Sequence, residues 1–125
     1  MLFVFTILLD QLSKYLIRFS GGFYICNSGI SFGVKMPTAL FWLLWIIFIA
    51  FLTSYTFSKT ENQKLRSIGI TLILSGAFSN IIDRLTFGCV IDFINLKFWP
   101  IFNLADVFIF FGAIITISSI FKNKN

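Results

Sequence analysis

Two aspartates are the residues of this chain best suited to do chemistry: Asp92, in Val90-Ile91-Asp92-Phe93, and Asp106, in Phe102-Asn103-Leu104-Ala105-Asp106. They flank the start of the last apolar segment. A carboxylate in or beside bilayer hydrocarbon is costly, so it is a functional-site candidate by default. Two that converge repel, split their pKa values and can act as acid and base. The chain has no histidine, which removes Ser-His-Asp and Cys-His triads and most zinc sites. Ser13 and Lys14 are adjacent on a helix, so they do not face each other. Cys89 has no imidazole to activate it. Cys26 and Cys89 are too few for a metal cluster; both fall in polar connections, and whether they pair is not decided by sequence.

Other polar residues are spaced for helices. Asp10 and Lys14 stand four apart, acid first, the favourable order for a pair on one face; a structural ion pair accounts for at least part of their presence. Asn80, Asp83 and Arg84 fall at i, i+3 and i+4 and share one face. Ser75-Gly76-Ala77 and Ser79 precede them and suit an interhelical seam. A seam explains the small residues but not a guanidinium, a carboxylate and an amide grouped at one boundary. Asn103 and Asp106 lie at i and i+3. Asn27-Ser28-Gly29 alone reads as a turn.

The elements that must position these groups are transmembrane helices. Of 125 residues, 58% are hydrophobic and 12% charged, and mean hydropathy is +0.92. Soluble domains average about 45–50% apolar and about 25% charged, so composition alone assigns the membrane class. Four apolar stretches appear, near residues 2–17, 38–57, 67–82 and 101–121. The first carries Asp10, Gln11 and Lys14 and matches a cleavable signal peptide poorly. Backbone groups in lipid must be satisfied internally, which makes these stretches helices. Basic residues Lys59, Lys64 and Arg66, with Lys122 and Lys124, place the 58–66 connection and the tail in the cytoplasm, with both termini. Connections 19–37 and 85–100 are then extracytoplasmic and read as short strands on the outer surface. The expected fold is an all-α membrane protein, four transmembrane helices with a small extracytoplasmic β-sheet or cradle, as one domain over 1–125. All four aspartates, Asp10, Asp83, Asp92 and Asp106, then lie toward the outer half of the membrane, Asp92 reaching the site from a surface segment. The 18 Phe do not interleave with a basic patch, so nucleic-acid binding is not expected.

Five blocks now stand in order: Asp10-Gln11-Leu12-Ser13-Lys14; Asn27-x-Gly29-x-x-Phe32-Gly33; Gly76-Ala77-x-Ser79-Asn80-x-x-Asp83-Arg84; Gly88-x-Val90-x-Asp92-Phe93; and Phe102-Asn103-x-Ala105-Asp106. With four spans, the chain resembles bacterial lipoprotein signal peptidase, or signal peptidase II, over essentially its whole length. One departure is Ile30-Ser31, where the family often has two small residues. The resemblance implies a multi-pass inner (plasma) membrane aspartic endopeptidase that removes signal peptides from prolipoproteins, cutting before a diacylglyceryl-modified cysteine. It implies Asp92 and Asp106 as the catalytic pair. Asn27, Gly29, Asn80, Arg84 and Asn103 match positions lining the pocket, while Asp10, Lys14 and Asp83 match supporting positions. No metal or cofactor is implied; the partners are the prolipoprotein and membrane lipid, and the enzyme is expected to be a monomer. Two other classes compete: a small ion- or proton-conducting protein, which would distribute its acids through the bilayer depth, and a structural subunit with buried ion pairs and no chemistry.

Overall fold

A computed structural model describes residues 1–29, 37–57 and 62–121. It contains helices α1 (Leu2–Phe19), α2 (Thr38–Phe57), α3 (Gln63–Phe87) and α4 (Leu104–Phe121), with strands β1 (Ile25–Asn27) and β2 (Val90–Asp92). α3 is the central element: α4 packs on it most extensively, α1 next, and α2 least.

The burial pattern is inverted relative to a soluble protein. The largest fully buried side chains are Asn103, Asp10, Asp83, Ser75, Ser79 and Ser119, whereas Phe5, Leu8, Leu12, Ile46, Phe51, Phe110 and Ile117 are exposed. A polar interior inside an apolar exterior suits lipid, where helices associate through small and polar residues rather than through burial of Leu and Phe. α3 is long and apolar enough to cross a membrane; among the described residues the apolar runs Leu43–Leu52 and Leu104–Ser119 are shorter. α1 carries Asp10, Lys14 and Arg18, which interrupt its apolar character.

Helix limits differ from the sequence reading at the polar ends. α3 extends from Gln63 through Asp83 and Arg84 to Phe87, beyond the apolar run 67–82. The charges do not end the helix because Asp83 is neutralised by Lys14 from α1. Gly88, in the left-handed conformation (φ 74), stops it, its N–H donating to the Arg84 carbonyl; only glycine adopts that conformation without cost.

α3 and α4 approach closely at glycines. A Cβ at Gly112 would lie 2.6 Å from the Gly69 carbonyl oxygen and 2.9 Å from Ile73, and one at Gly76 would overlap the Ala105 carbonyl oxygen. Any larger residue at Gly76 would therefore push away the first turn of α4, which carries Asp106.

The two strands form one antiparallel pair, Ile25 opposite Asp92, Cys26 opposite Ile91 and Asn27 opposite Val90. The expected small sheet is thus present but short. Gly21–Tyr24 lie before it, and Ile94 makes only an isolated bridge to Phe102. Cys26 and Cys89 form a disulfide, the pairing that sequence left open.

Candidate active site

The site forms where the start of α4, the end of β2 and the C-terminal half of α3 meet. Asn103 is the residue before α4, and its Oδ1 accepts from the Asp106 N–H at 3.0 Å. Asp106 Oδ2 in turn accepts from the Asn103 N–H at 3.2 Å. This reciprocal pair is a capping box, satisfying donors the first helical turn leaves orphaned. It also fixes the Asp106 side chain. Sequence placed Asn103 within the last span; its work is to cap it.

Asp92 ends β2. It is buried, 2% exposed, rather than carried on a surface segment. Its Oδ1 accepts from Asn103 Nδ2 at 2.7 Å, and its Oδ2 accepts from Asn27 Nδ2 at 3.1 Å. Asn103 therefore touches both aspartates. Asn80 adds a second link: its Nδ2 donates to Asp106 Oδ1 at 3.0 Å, while its Oδ1 accepts from Asn103 Nδ2 at 3.0 Å.

Beneath this pair lies a charged layer. Lys14 Nζ donates to Asp10 Oδ2 at 2.6 Å, Asp83 Oδ2 at 2.8 Å and Asn80 Oδ1 at 3.1 Å. The two supporting carboxylates hold equivalent places. Asp83 Oδ2 accepts the N–H of Ile91, next before Asp92, at 3.0 Å. Asp10 Oδ1 accepts the N–H of Ala105, next before Asp106, at 2.9 Å. Each clamps the backbone one residue ahead of one aspartate, and Lys14 bridges them. A buried charge survives only when paired and hydrogen-bonded; among the described residues no buried side-chain polar atom lacks a partner.

Sequence reasoning did not assign Gln11 and Ser79 to this layer. Gln11 Nε2 donates to Ser79 Oγ and Asp83 Oδ1, each at 2.9 Å, and Ser79 Oγ donates to Asp10 Oδ2 at 2.7 Å. Ser79 read as a small seam residue, and its hydroxyl was the missed signal. Gln11 lay beside Asp10, inside a block already singled out. Ser13 donates to the Asp10 carbonyl oxygen at 2.7 Å.

Arg84 reaches across to β1: its Nη2 donates to the Gly29 carbonyl oxygen at 3.0 Å, and the Gly29 N–H donates to Asn27 Oδ1 at 3.0 Å. The turn expected at Asn27-Ser28-Gly29 is present; Ile30 to Gly33 of that motif lie outside the described residues.

Both aspartates of the pair open onto one cavity of about 990 Å³ between α2, α3 and α4. Its polar end holds Asn27, Asn80, Arg84, Asp92 and Asp106, and its walls include Leu44, Trp45, Phe48, Ile73 and Phe110. Burial pushes the Asp92 carboxyl up to about 6; the Asn27 donation opposes this, and the charge of Asp106 adds to it. The two carboxylates are therefore electrostatically coupled. The chain's acidic residues are these four aspartates and Glu61, and every aspartate belongs to this one centre.

A helical body with a polar interior, an apolar exterior and paired carboxylates at the head of an apolar cavity defines the class: a membrane protein with an internal acidic site. Comparison with known proteins narrows it. The family model described as signal peptidase (SPase) II matches residues 2–122, and the chain belongs to that family of proteases. It is 38% identical to the lipoprotein signal peptidase of Moorella thermoacetica, covering 92% of this chain and 87% of the relative. It is 35% identical to that of Caldanaerobacter subterraneus subsp. tengcongensis, covering 89% and 87%. Two solved structures described as a bacterial membrane enzyme superpose with TM-scores of 0.83 and 0.82 at 26% identity. They cover 99% and 98% of this chain and 87% and 91% of theirs.

Proposed function

We propose that this protein is an aspartic endopeptidase that removes the signal peptide from prolipoproteins, cutting before the diacylglyceryl-modified cysteine, with Asp92 and Asp106 as the catalytic pair. The observation that carries the reading is the shared cavity: two coupled carboxylates at the polar end of an apolar chamber, bridged by Asn103. A signal peptide's apolar segment and the diacylglyceryl chains suit the walls of Leu44, Trp45 and Phe48; the scissile bond suits the polar head.

The pair shares one proton. The ionised carboxylate takes a proton from water as its oxygen attacks the scissile carbonyl carbon. The protonated carboxyl polarises that carbonyl, and the pair later returns a proton to the departing amine as the C–N bond breaks. Asn27, Asn80 and Asn103 hold the carboxylate oxygens by donation, and Arg84 with the Gly29 turn orients the substrate backbone or lipid head. Asp10, Lys14 and Asp83 hold the two chain segments that present the aspartates.

We place four spans across the plasma membrane, both termini in the cytoplasm and the site toward the extracytoplasmic face. The Cys26–Cys89 disulfide supports that orientation, since such bonds form and persist outside the reducing cytosol. The concentration of all four aspartates in one centre disfavours an ion pathway, which would spread them through the bilayer depth.

The test is cleavage of a prolipoprotein peptide in detergent by the purified protein. We expect the diacylglyceryl-modified peptide to be cut before its modified cysteine and the unmodified peptide to be cut poorly. No cleavage of either, with the protein folded, would refute the reading.

A further inference from the structure

The disulfide lies next to the catalytic pair. β1 is three residues long and, among the described residues, paired only with β2. An isolated two-stranded ribbon is marginally stable at best. Yet β1 carries Asn27, whose Nδ2 donates to Asp92 Oδ2. Cys26 immediately precedes Asn27, and Cys89 immediately precedes β2, with 5.4 Å between their Cα atoms. β2 is tied to α3 through Asp83 and the Ile91 N–H. β1 is tied to the body by Arg84 at Gly29 and by the disulfide. The site therefore has one covalent fastening, one residue away from a donor to Asp92.

We propose that the Cys26–Cys89 disulfide is a positioning element of the active site, holding Asn27 on Asp92, and that the enzyme reaches full activity only after a disulfide-donating oxidant has acted on it. The activity part rests on the function proposed above. In that step the two thiols lose two protons and two electrons, the S–S bond forms, and the oxidant's own disulfide is reduced to a dithiol. Cys26 is exposed and lines an outer cleft of about 560 Å³ with Ser28, Asn95, Lys97 and Trp99. Cys89 is 2% exposed. Exchange with an external thiol or disulfide therefore proceeds at the Cys26 sulfur.

The electrostatic consequence has a definite sign. Donation from Asn27 favours the ionised form of Asp92. When β1 loosens, that contribution is lost and Asp92 holds its proton more tightly. The other charges bearing on Asp92 are Lys14 from α1, Arg84 from α3 and Asp106 from α4. None of these lies on β1; Lys14 and Asp106 are held by other elements, while Arg84 also donates to Gly29 just beyond β1.

The experiment compares five forms of the protein in detergent: as isolated, reduced with a phosphine, Cys26→Ser/Cys89→Ser, and Asn27→Ala with and without reduction. Mass spectrometry without reductant counts free thiols. The ¹³Cγ shift of Asp92 is titrated by NMR, and kcat/KM is followed against pH. We expect no free thiol as isolated. Reduction should raise the Asp92 midpoint and lower kcat/KM by between about 10-fold and 10²-fold, the scale of a small misplacement of reacting groups. Cys26→Ser/Cys89→Ser should match the reduced protein. Asn27→Ala should reproduce both changes and then be insensitive to reduction. Free thiols as isolated, an Asp92 titration unmoved by reduction, or losses that add between Asn27→Ala and reduction would each overturn the proposal. An oxidised protein that cleaves nothing while its Asp92 midpoint still responds to reduction would refute the proposed function and leave the positioning role standing.

Discussion

α4 and α2 meet the same central helix in opposite ways. α4 lies against α3 through Gly69, Gly76 and Gly112, so close that a Cβ at any of the three would collide. Its first turn is held by Asn103, Asp10 and the Asn80 amide on Asp106. α2 carries no charged residue. Leu44, Trp45 and Phe48 line the cavity, and Leu40, Leu43, Ile46 and Ile47 are exposed. One side of α3 is packed and hydrogen-bonded; the other leaves room. Catalytic groups need fixed geometry, and an apolar substrate entering from lipid needs space. On the proposed function, the two helices divide those requirements.

That contrast is breakable in graded steps. The largest effect is expected at the reacting groups: Asp92→Asn and Asp106→Asn should each lower turnover by at least about 10²–10⁴-fold, the range general acid–base catalysis contributes. Membrane accumulation of either variant should be unaffected. Next comes the fixed layer. Lys14→Met leaves Asp10 and Asp83 buried without their cation, and breaking such a pair costs about 3–5 kcal/mol. We expect a large fall in thermal stability together with lost activity. Gly112→Val should overpack the α3–α4 contact, costing about 1–3 kcal/mol and reducing activity through displacement of α4. On the open side the pattern should reverse. Phe48→Ala should leave stability nearly unchanged while raising KM, by an amount of about 1–3 kcal/mol in binding as for other small losses in an apolar pocket.

A smaller sharpening comes from pH. Burial, with the charge of Asp106 adding to it, holds Asp92 up at about 6. The pair therefore gives up its shared proton as pH rises through that region, and kcat/KM, which reports the free enzyme, should fall there. Asp106→Asn removes the neighbouring charge and should move the Asp92 midpoint downward, measured by ¹³C NMR on the folded variant.

Sequence carried more of the site than of the scaffold. Types and spacings grouped Asn80 with Arg84 and Asn103 with Asp106 and put the aspartates on one side, because costly polar residues in an apolar chain have few reasons to be there; that these groups share one pocket with Asp92 came from the family resemblance. The i,i+4 rule placed Lys14 on Asp10. What it could not supply were long-range partners. Lys14 also reaches Asp83, and Gln11 reaches Ser79, across more than sixty residues of chain. Asp83-Arg84 read as a helix boundary because the neutralising cation comes from another helix. The segment carrying Asp92 read as lying on the surface because nothing local shows that Asp83 holds the Ile91 N–H and draws β2 inward. The cysteine pairing was open for the same reason: it depends on the strand register, which three-residue strands do not announce.

The central claim is that Asp92 and Asp106 act as one unit. A double-mutant cycle tests it most directly: kcat for cleavage of a diacylglyceryl-modified prolipoprotein peptide by the wild type, Asp92→Asn, Asp106→Asn and the double variant, each folded in detergent. Residues that act together are strongly non-additive. The account predicts that the double variant is about as slow as either single one. Losses that multiply, or near-wild-type cleavage by either single variant, would contradict it.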